Sequence, residues 1–134
     1  MHAFMFLIPS HVGFHIKSQA AYMTAGQIIC LINDFASYDK EKEANCAMNF
    51  ILVLEKFGHR CDANDIPGEL CLSADEAFRY VEQMLCSRVS LLEEQLLTLP
   101  AEEASVILMW VLGYHQFEKL GADRRNAERE LYSL

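Results

Sequence analysis

Between Ser73 and Leu96 the chain places Phe78, Val81, Leu85, Val89, Leu92 and Leu96 at steps of three and four, with charged residues between them. Only an α-helix gathers that spacing onto one side, because about 3.6 residues complete a turn. Ser73-Ala74-Asp75-Glu76 at the head of the run is a capping box. The serine hydroxyl can accept from the Glu76 amide while the glutamate reaches back to the Ser73 amide. A chain with so long an amphipathic helix must supply other elements to cover the stripe.

The rest of the sequence supplies helices. The segment from about Ser18 to about Lys42 opens on small residues (Ala20, Ala21, Thr24, Ala25, Gly26) and then turns apolar with Ile28, Ile29, Leu31 and Ile32. Small side chains let a neighbour approach closely or leave room for a cavity. Asn49 to Phe57 is solidly apolar. Periodicity alone does not separate helix from strand there, and its helical neighbours favour helix. Gly58 to Leu72 holds Gly58, Asn64, Pro67 and Gly68 and reads as a loop. Pro100 separates the striped helix from a fourth, from about Ala101 to about Leu120, with Ile107, Leu108, Val111 and Leu112 on its apolar side. From Gly121 onward the residues read as a charged, solvated tail. With 6 Gly and 3 Pro in 134 residues, no strand-and-turn pattern competes. The expected fold class is all-α, in a single domain over residues 1–134.

Composition narrows the function. The formal net charge is -8 and no basic stripe occurs, which argues against nucleic acid and against an anionic membrane surface. Metal ions lying between the two sets of negative charge would still let such a protein hold a pyrophosphate. The apolar run in Met1–Pro9 is too short to span a bilayer and lacks the basic start of a signal peptide, so it reads as the middle of a buried helix. The Cys count, 5, is odd and no C-x-x-C pair exists, which points to a reducing, cytoplasmic setting. Three of these cysteines lie in apolar helical stretches and read as small core residues. His2, His11, His15, His59 and His115 lack the spacing of a metal motif. Asp62, Asn64 and Asp65 lack the full calcium-loop pattern. There is no Gly-rich phosphate loop and no Gly-x-Ser-x-Gly elbow.

The chemistry concentrates in Asn33-Asp34-Phe35-Ala36-Ser37-Tyr38-Asp39-Lys40-Glu41. Residues 33, 37 and 41 stand at i, i+4 and i+8, and each step drifts by about forty degrees on a helix, so all three project from one face. They offer an amide oxygen, a hydroxyl and a carboxylate, an all-oxygen set suited to a hard cation such as magnesium. With a single carboxylate, the ion retains charge for phosphate oxygens as well. Lys40 beside the carboxylate can meet a phosphate as a point charge. The competing reading is a solvated polar face. The triad, however, follows a small-residue apolar helix, where such a polar row is out of place.

Asn33-Asp34-x-x-Ser37-x-x-Lys40-Glu41 resembles the second metal motif of class I terpene synthases, especially the microbial and fungal members. The resemblance implies the helical bundle of the isoprenoid synthase fold, with this chain as its C-terminal portion. It implies Mg2+ held by Asn33, Ser37 and Glu41, and Lys40 on the substrate's pyrophosphate. The implied reaction is magnesium-dependent ionisation and cyclisation of a linear prenyl diphosphate, farnesyl or geranylgeranyl diphosphate, by a carbon–oxygen lyase of secondary metabolism. Asn49 and its apolar run are similar to the family's Asn-x-Val-x-Val segment. Ala77 to Leu96, with Arg88 and Glu93, is similar to the penultimate long helix. Trp110 to Glu118 is similar to the last core helix, with Gly113, Tyr114, Phe117 and Glu118 where the family often reads Gly-Asn-x-x-Trp-Ser.

Two features depart from that pattern. The sequence carries no Asp-rich first metal motif and no upstream arginine for pyrophosphate. Where the family has a late Arg-Tyr pair, an ungapped match gives Asp123-Arg124, and Arg124 and Arg125 are the candidates for the arginine's role. One metal site neutralises a diphosphate poorly, so the chain alone is expected to be weakly active or inactive, lacking an N-terminal half. Tyr22, Phe14, Trp110, Tyr114 and Phe117 are candidates for lining the pocket, where aromatic faces steady a carbocation. Trp110 is the first of them, and core packing is the plainer reading for each. Two other readings remain. One is a non-catalytic helical interaction protein, a homo-oligomer included, whose bare apolar faces seek a partner. The other is a prenyl-chain-elongating synthase, which usually carries a second Asp-rich motif in place of Asn33-x-x-x-Ser37.

Overall fold

The computed structural model describes residues 18–46, 48–57 and 72–132, apart from the side chains of Phe57 and residues 125–132. Four helices follow one another: α1 (Gln19–Glu43), α2 (Phe50–Phe57), α3 (Ala74–Leu97) and α4 (Ala101–Tyr132). No strand occurs among the described residues, and the fold is all-α. The run Met1–Pro9, Phe14, His11, His15, His59, the loop expected from Gly58, Asp62, Asp65 and the Arg125 side chain lie outside the described residues.

α1 is the centre of the bundle. Ala21, Thr24, Ala25 and Gly26 are all buried, so the small residues bring neighbours close to the α1 backbone. α3 and α4 both pack on α1 and hardly touch each other, while α2 packs on α1 and α3. One core cluster joins Ala21, Tyr22, Ala25 and Ile28 of α1 to Leu92 of α3 and Ile107 of α4. A second joins Leu31 and Tyr38 to Ile51, Leu52, Ala77 and Val81. Early α1 therefore meets late α3 and early α4, so α3 runs antiparallel to α1 and α4 parallel to it. Ile51, Val81 and Ile107 are each 0% exposed, and such burial contributes about 2 kcal/mol per side chain.

The helix ends have local causes. At α3 the capping box forms: Glu76 N donates to Ser73 Oγ at 3.3 Å and Ser73 N donates to Glu76 Oε2 at 2.9 Å. α1 stops in a Schellman turn, in which Cys46 N donates to Glu41 O at 2.8 Å and Asn45 N to Lys42 O at 3.1 Å. Asn45 sits at φ 51°, a left-handed conformation that asparagine tolerates better than most residues. Ahead of α2, the fully buried Asn49 accepts from Ile51 N at 3.0 Å and from Leu52 N at 3.4 Å through Oδ1. That side-chain cap supplies the helix start that periodicity left undecided.

Two expectations need correction. The residues after Gly121 are not a tail, because α4 continues through them to Tyr132. Alanine, arginine, glutamate and leucine there are strong helix formers, and together they outweigh the cost of one glycine, about 1 kcal/mol. The core reading of the cysteines also fails in part. Cys30 is half-buried, but Cys86 is exposed and Cys46 lies past the end of α1. Along the α3 stripe Val81 and Leu92 are buried, whereas Val89 is 40% exposed because it borders the gap between α3 and α4. No described helix is long and apolar enough to cross a membrane.

Candidate metal centre

Asn33, Ser37 and Glu41 occupy the second half of α1, and each is half-buried. Ser37 Oγ donates to its own helix, to the Asn33 backbone carbonyl at 2.7 Å. That back-bond consumes the hydroxyl proton and leaves the oxygen lone pairs for a cation. Glu41 Oε2 is buried and has no hydrogen-bond partner. A buried acceptor left unpaired costs about 1–3 kcal/mol, more for a charged group, and a bound cation removes that cost. α1 ends at Glu43, so the negative end of the helix dipole adds to the pull on a cation. The orphaned carboxylate oxygen and the all-oxygen donor set both fit magnesium.

Contacts from two other helices bound this face. From α4, the Tyr114 hydroxyl lies 3.0 Å from Asn33 Oδ1 and 2.9 Å from Glu118 Oε1. Burial first, then the hydrogen bond to Glu118, pushes the Tyr114 phenol up to about 12. On the other flank Asp34 ties α1 to α2. Its Oδ2 accepts from Phe50 N at 3.1 Å, and its backbone carbonyl accepts from Asn49 Nδ2 at 2.8 Å. Burial raises the Asp34 carboxyl above its usual range, the Phe50 amide opposes this, and nearby Glu41 adds to it. A turn further on, the Tyr38 hydroxyl donates to Glu55 Oε1 at 2.9 Å, and Lys42 Nζ donates to the Tyr38 oxygen at 2.7 Å. These bonds clamp the last turns of α1 onto α2.

Lys40 is exposed, seven residues after Asn33, which places it within about 20° of Asn33 around the helix. Arg124 is exposed on α4, ten residues beyond Tyr114 and so roughly 15 Å further along that helix. α4 runs parallel to α1, so Arg124 lies toward the Glu41 end of the bundle and away from Asn33.

A groove of about 710 Å³ opens between α3 and α4 with α1 as its floor, lined by residues such as Ile32, Phe35, Val89, Leu92, Leu112 and His115. The groove-facing residues of α1 are centred roughly 150° around the helix from the triad. The groove and the triad therefore open on different sides of α1, with Glu118, which reaches Asn33 through Tyr114, on the groove wall. None of Tyr22, Trp110 and Phe117 lines the groove. Tyr22 is buried in the first core cluster, Trp110 packs against that cluster, and Phe117 is 69% exposed. Trp110 thus packs on the core cluster and stays out of the gap.

Among the described residues no group of three His, Cys, Asp or Glu side chains could hold a metal, so an ion here depends on amide and hydroxyl oxygens beside one carboxylate. Sequence reasoning placed Tyr114 only as a pocket candidate and gave Glu118 no role. The signal available was an i, i+4 pair of hydrogen-bonding side chains on a largely apolar helix.

The family model described as terpene synthase family 2, C-terminal metal binding, matches residues 2–90, about two thirds of the chain. The match takes in all of α1 and α2 and most of α3. No curated protein and no solved structure matches.

Proposed function

The chain belongs to the terpene synthase family, in its C-terminal metal-binding part, and on that premise we propose that Asn33, Ser37 and Glu41 hold a magnesium ion facing a prenyl diphosphate. The observation that carries this reading is Glu41 Oε2, buried without a partner at the end of a row of oxygen donors. Magnesium bound there would supply positive charge to a departing diphosphate. Lys40, exposed two turns beyond Asn33, adds a point charge for phosphate oxygens. Arg124 approaches from α4 at the same end, and Arg125 is its alternative.

The substrate class is a linear prenyl diphosphate, farnesyl or geranylgeranyl diphosphate, and the reaction is its ionisation and cyclisation by a carbon–oxygen lyase. Cys30, Cys46 and Cys86 form no disulfide among the described residues, which suits a reducing cytoplasmic setting. The apolar groove is not the chamber for the prenyl tail, because a diphosphate on the triad would have to pass its tail around α1 to reach it. These 134 residues hold one oxygen triad and no Asp-rich motif. The chain alone therefore binds diphosphate with magnesium better than it turns substrate over.

The test is calorimetric titration of the full chain with Mg2+ and inorganic pyrophosphate. Binding should require both components and weaken at least tenfold in Ser37→Ala and Glu41→Gln, a loss of about 1.4 kcal/mol or more. Pyrophosphate binding indifferent to Mg2+ would sink the reading. Rapid turnover of farnesyl diphosphate by the chain alone would overturn the expected weak activity.

A second reading, a non-catalytic helical interaction module, draws on Leu97 (88% exposed), Met109 (72%) and Phe117 (69%). Magnesium-independent stability together with a defined oligomer would favour it.

A further inference from the structure

The Tyr114 hydroxyl has two acceptors within reach, Asn33 Oδ1 at 3.0 Å and Glu118 Oε1 at 2.9 Å, but a hydroxyl carries one proton. It can satisfy only one of them as donor. A carboxylate oxygen is a stronger acceptor than an amide oxygen, so the proton belongs to Glu118. The phenolic lone pairs then point at Asn33, where an amide N–H is the matching group. A half-turn of the Asn33 carboxamide brings Nδ2 against the Tyr114 oxygen and satisfies all three side chains, since oxygen and nitrogen of an amide occupy nearly the same volume. The same half-turn takes Oδ1 off the tyrosine and frees it for a cation.

We propose that Tyr114, held by Glu118, is a positioning residue for the magnesium triad: it accepts from Asn33 Nδ2 and so fixes Oδ1 as the ligand atom. The proposal rests on the metal reading above and adds to it a contribution from α4. Both residues lie beyond the segment matched to the family. Asparagine needs such a device and a carboxylate would not. An amide turned the wrong way offers the metal N–H groups, whereas both terminal atoms of an aspartate are oxygens.

That difference makes the test specific. Mg2+ affinity is measured by calorimetry on the full chain in the presence of inorganic pyrophosphate, for Tyr114→Phe, Asn33→Asp, the double variant and Glu41→Gln. Tyr114→Phe should weaken Mg2+ binding about tenfold in the asparagine background, the usual scale for losing an outer partner of a metal ligand. In the Asn33→Asp background it should cost nothing, because no orientation remains to be fixed. An equal loss in both backgrounds, or no loss in either, would overturn the positioning role if Glu41→Gln still weakens binding at least tenfold. If Glu41→Gln leaves Mg2+ binding intact, the metal reading itself fails, and this role with it. Metal-free melting curves of each variant confirm that the comparison is made between folded chains.

Discussion

Asn49 Nδ2 donates a 2.8 Å hydrogen bond to the backbone carbonyl of Asp34, while Asn49 Oδ1 caps the first amides of α2. One fully buried carboxamide thus ties the start of α2 to the metal-motif segment of α1. Asp34 answers with its own carboxylate on Phe50 N. The Asp of the Asn-Asp pair is therefore a structural tie, and its neighbour Asn33 is left as the candidate ligand. Replacing Asn49 with alanine removes the cap and the second hydrogen bond to the Asp34 carbonyl, which keeps its own intrahelical donor. The expected cost is about 2–3 kcal/mol, read from urea unfolding. A loss below the error of the measurement would show that α2 is not held this way.

Tyr22 presents the opposite case. Its ring is buried in the core, but its hydroxyl is buried without a partner. Tyr22→Phe should leave the chain as stable at neutral pH or more so, by up to roughly 1 kcal/mol, because an unsatisfied polar group is removed and the ring is kept. The alkaline behaviour has a definite sign. Burial, then the Glu103 charge, raises the Tyr22 pKa above 10.0. Between the unfolded and folded pKa values the native state binds more protons, so stability falls as pH rises above about 10. The phenylalanine variant should show a shallower alkaline fall in melting temperature than the parent.

Ile107 is fully buried and joins α4 to Ala25 and Ile28 through the first core cluster. α4 hardly touches α3, so its hold on the bundle depends on this seam with α1. Ile107→Ala should cost about 3–4 kcal/mol in chemical denaturation. If the cost is below about 1 kcal/mol, α4 is not docked as described.

Glu41→Gln separates folding from metal binding. Without Mg2+ the substitution should leave the chain as stable or more so, by up to roughly 1 kcal/mol, since a buried unpaired carboxylate is exchanged for a neutral amide of the same shape. With Mg2+ at about 100 times the parent's dissociation constant the parent should gain about 2.7 kcal/mol and the variant at most about 1.4 kcal/mol. Equal gains by both proteins would mean that the ion binds elsewhere.

Much of the bundle was readable from residue order alone. The stripe from Phe78 to Leu96, the capping box at Ser73 and the break at Pro100 each act within a few residues, and each appears in α3 and the start of α4. The triad's common face follows from helical spacing in the same way. The end of α4 is helical although its charge suggests a tail, because the helix propensity of alanine, arginine and glutamate acts regardless of burial.

Local chemistry could not say what lies around each face. Ser37 bonds within its own helix, but Asn33 meets Tyr114, a residue 81 positions away, and Asp34 meets the start of α2. It took the packed bundle to open the apolar groove on a different side of α1 from the triad, bury Tyr22 and leave Phe117 outside. Spacing along a helix decides which side chains share a face, because the backbone's own hydrogen bonds set the period. Which way that face looks depends on how helices far apart in sequence pack together, and only the assembled core decides that.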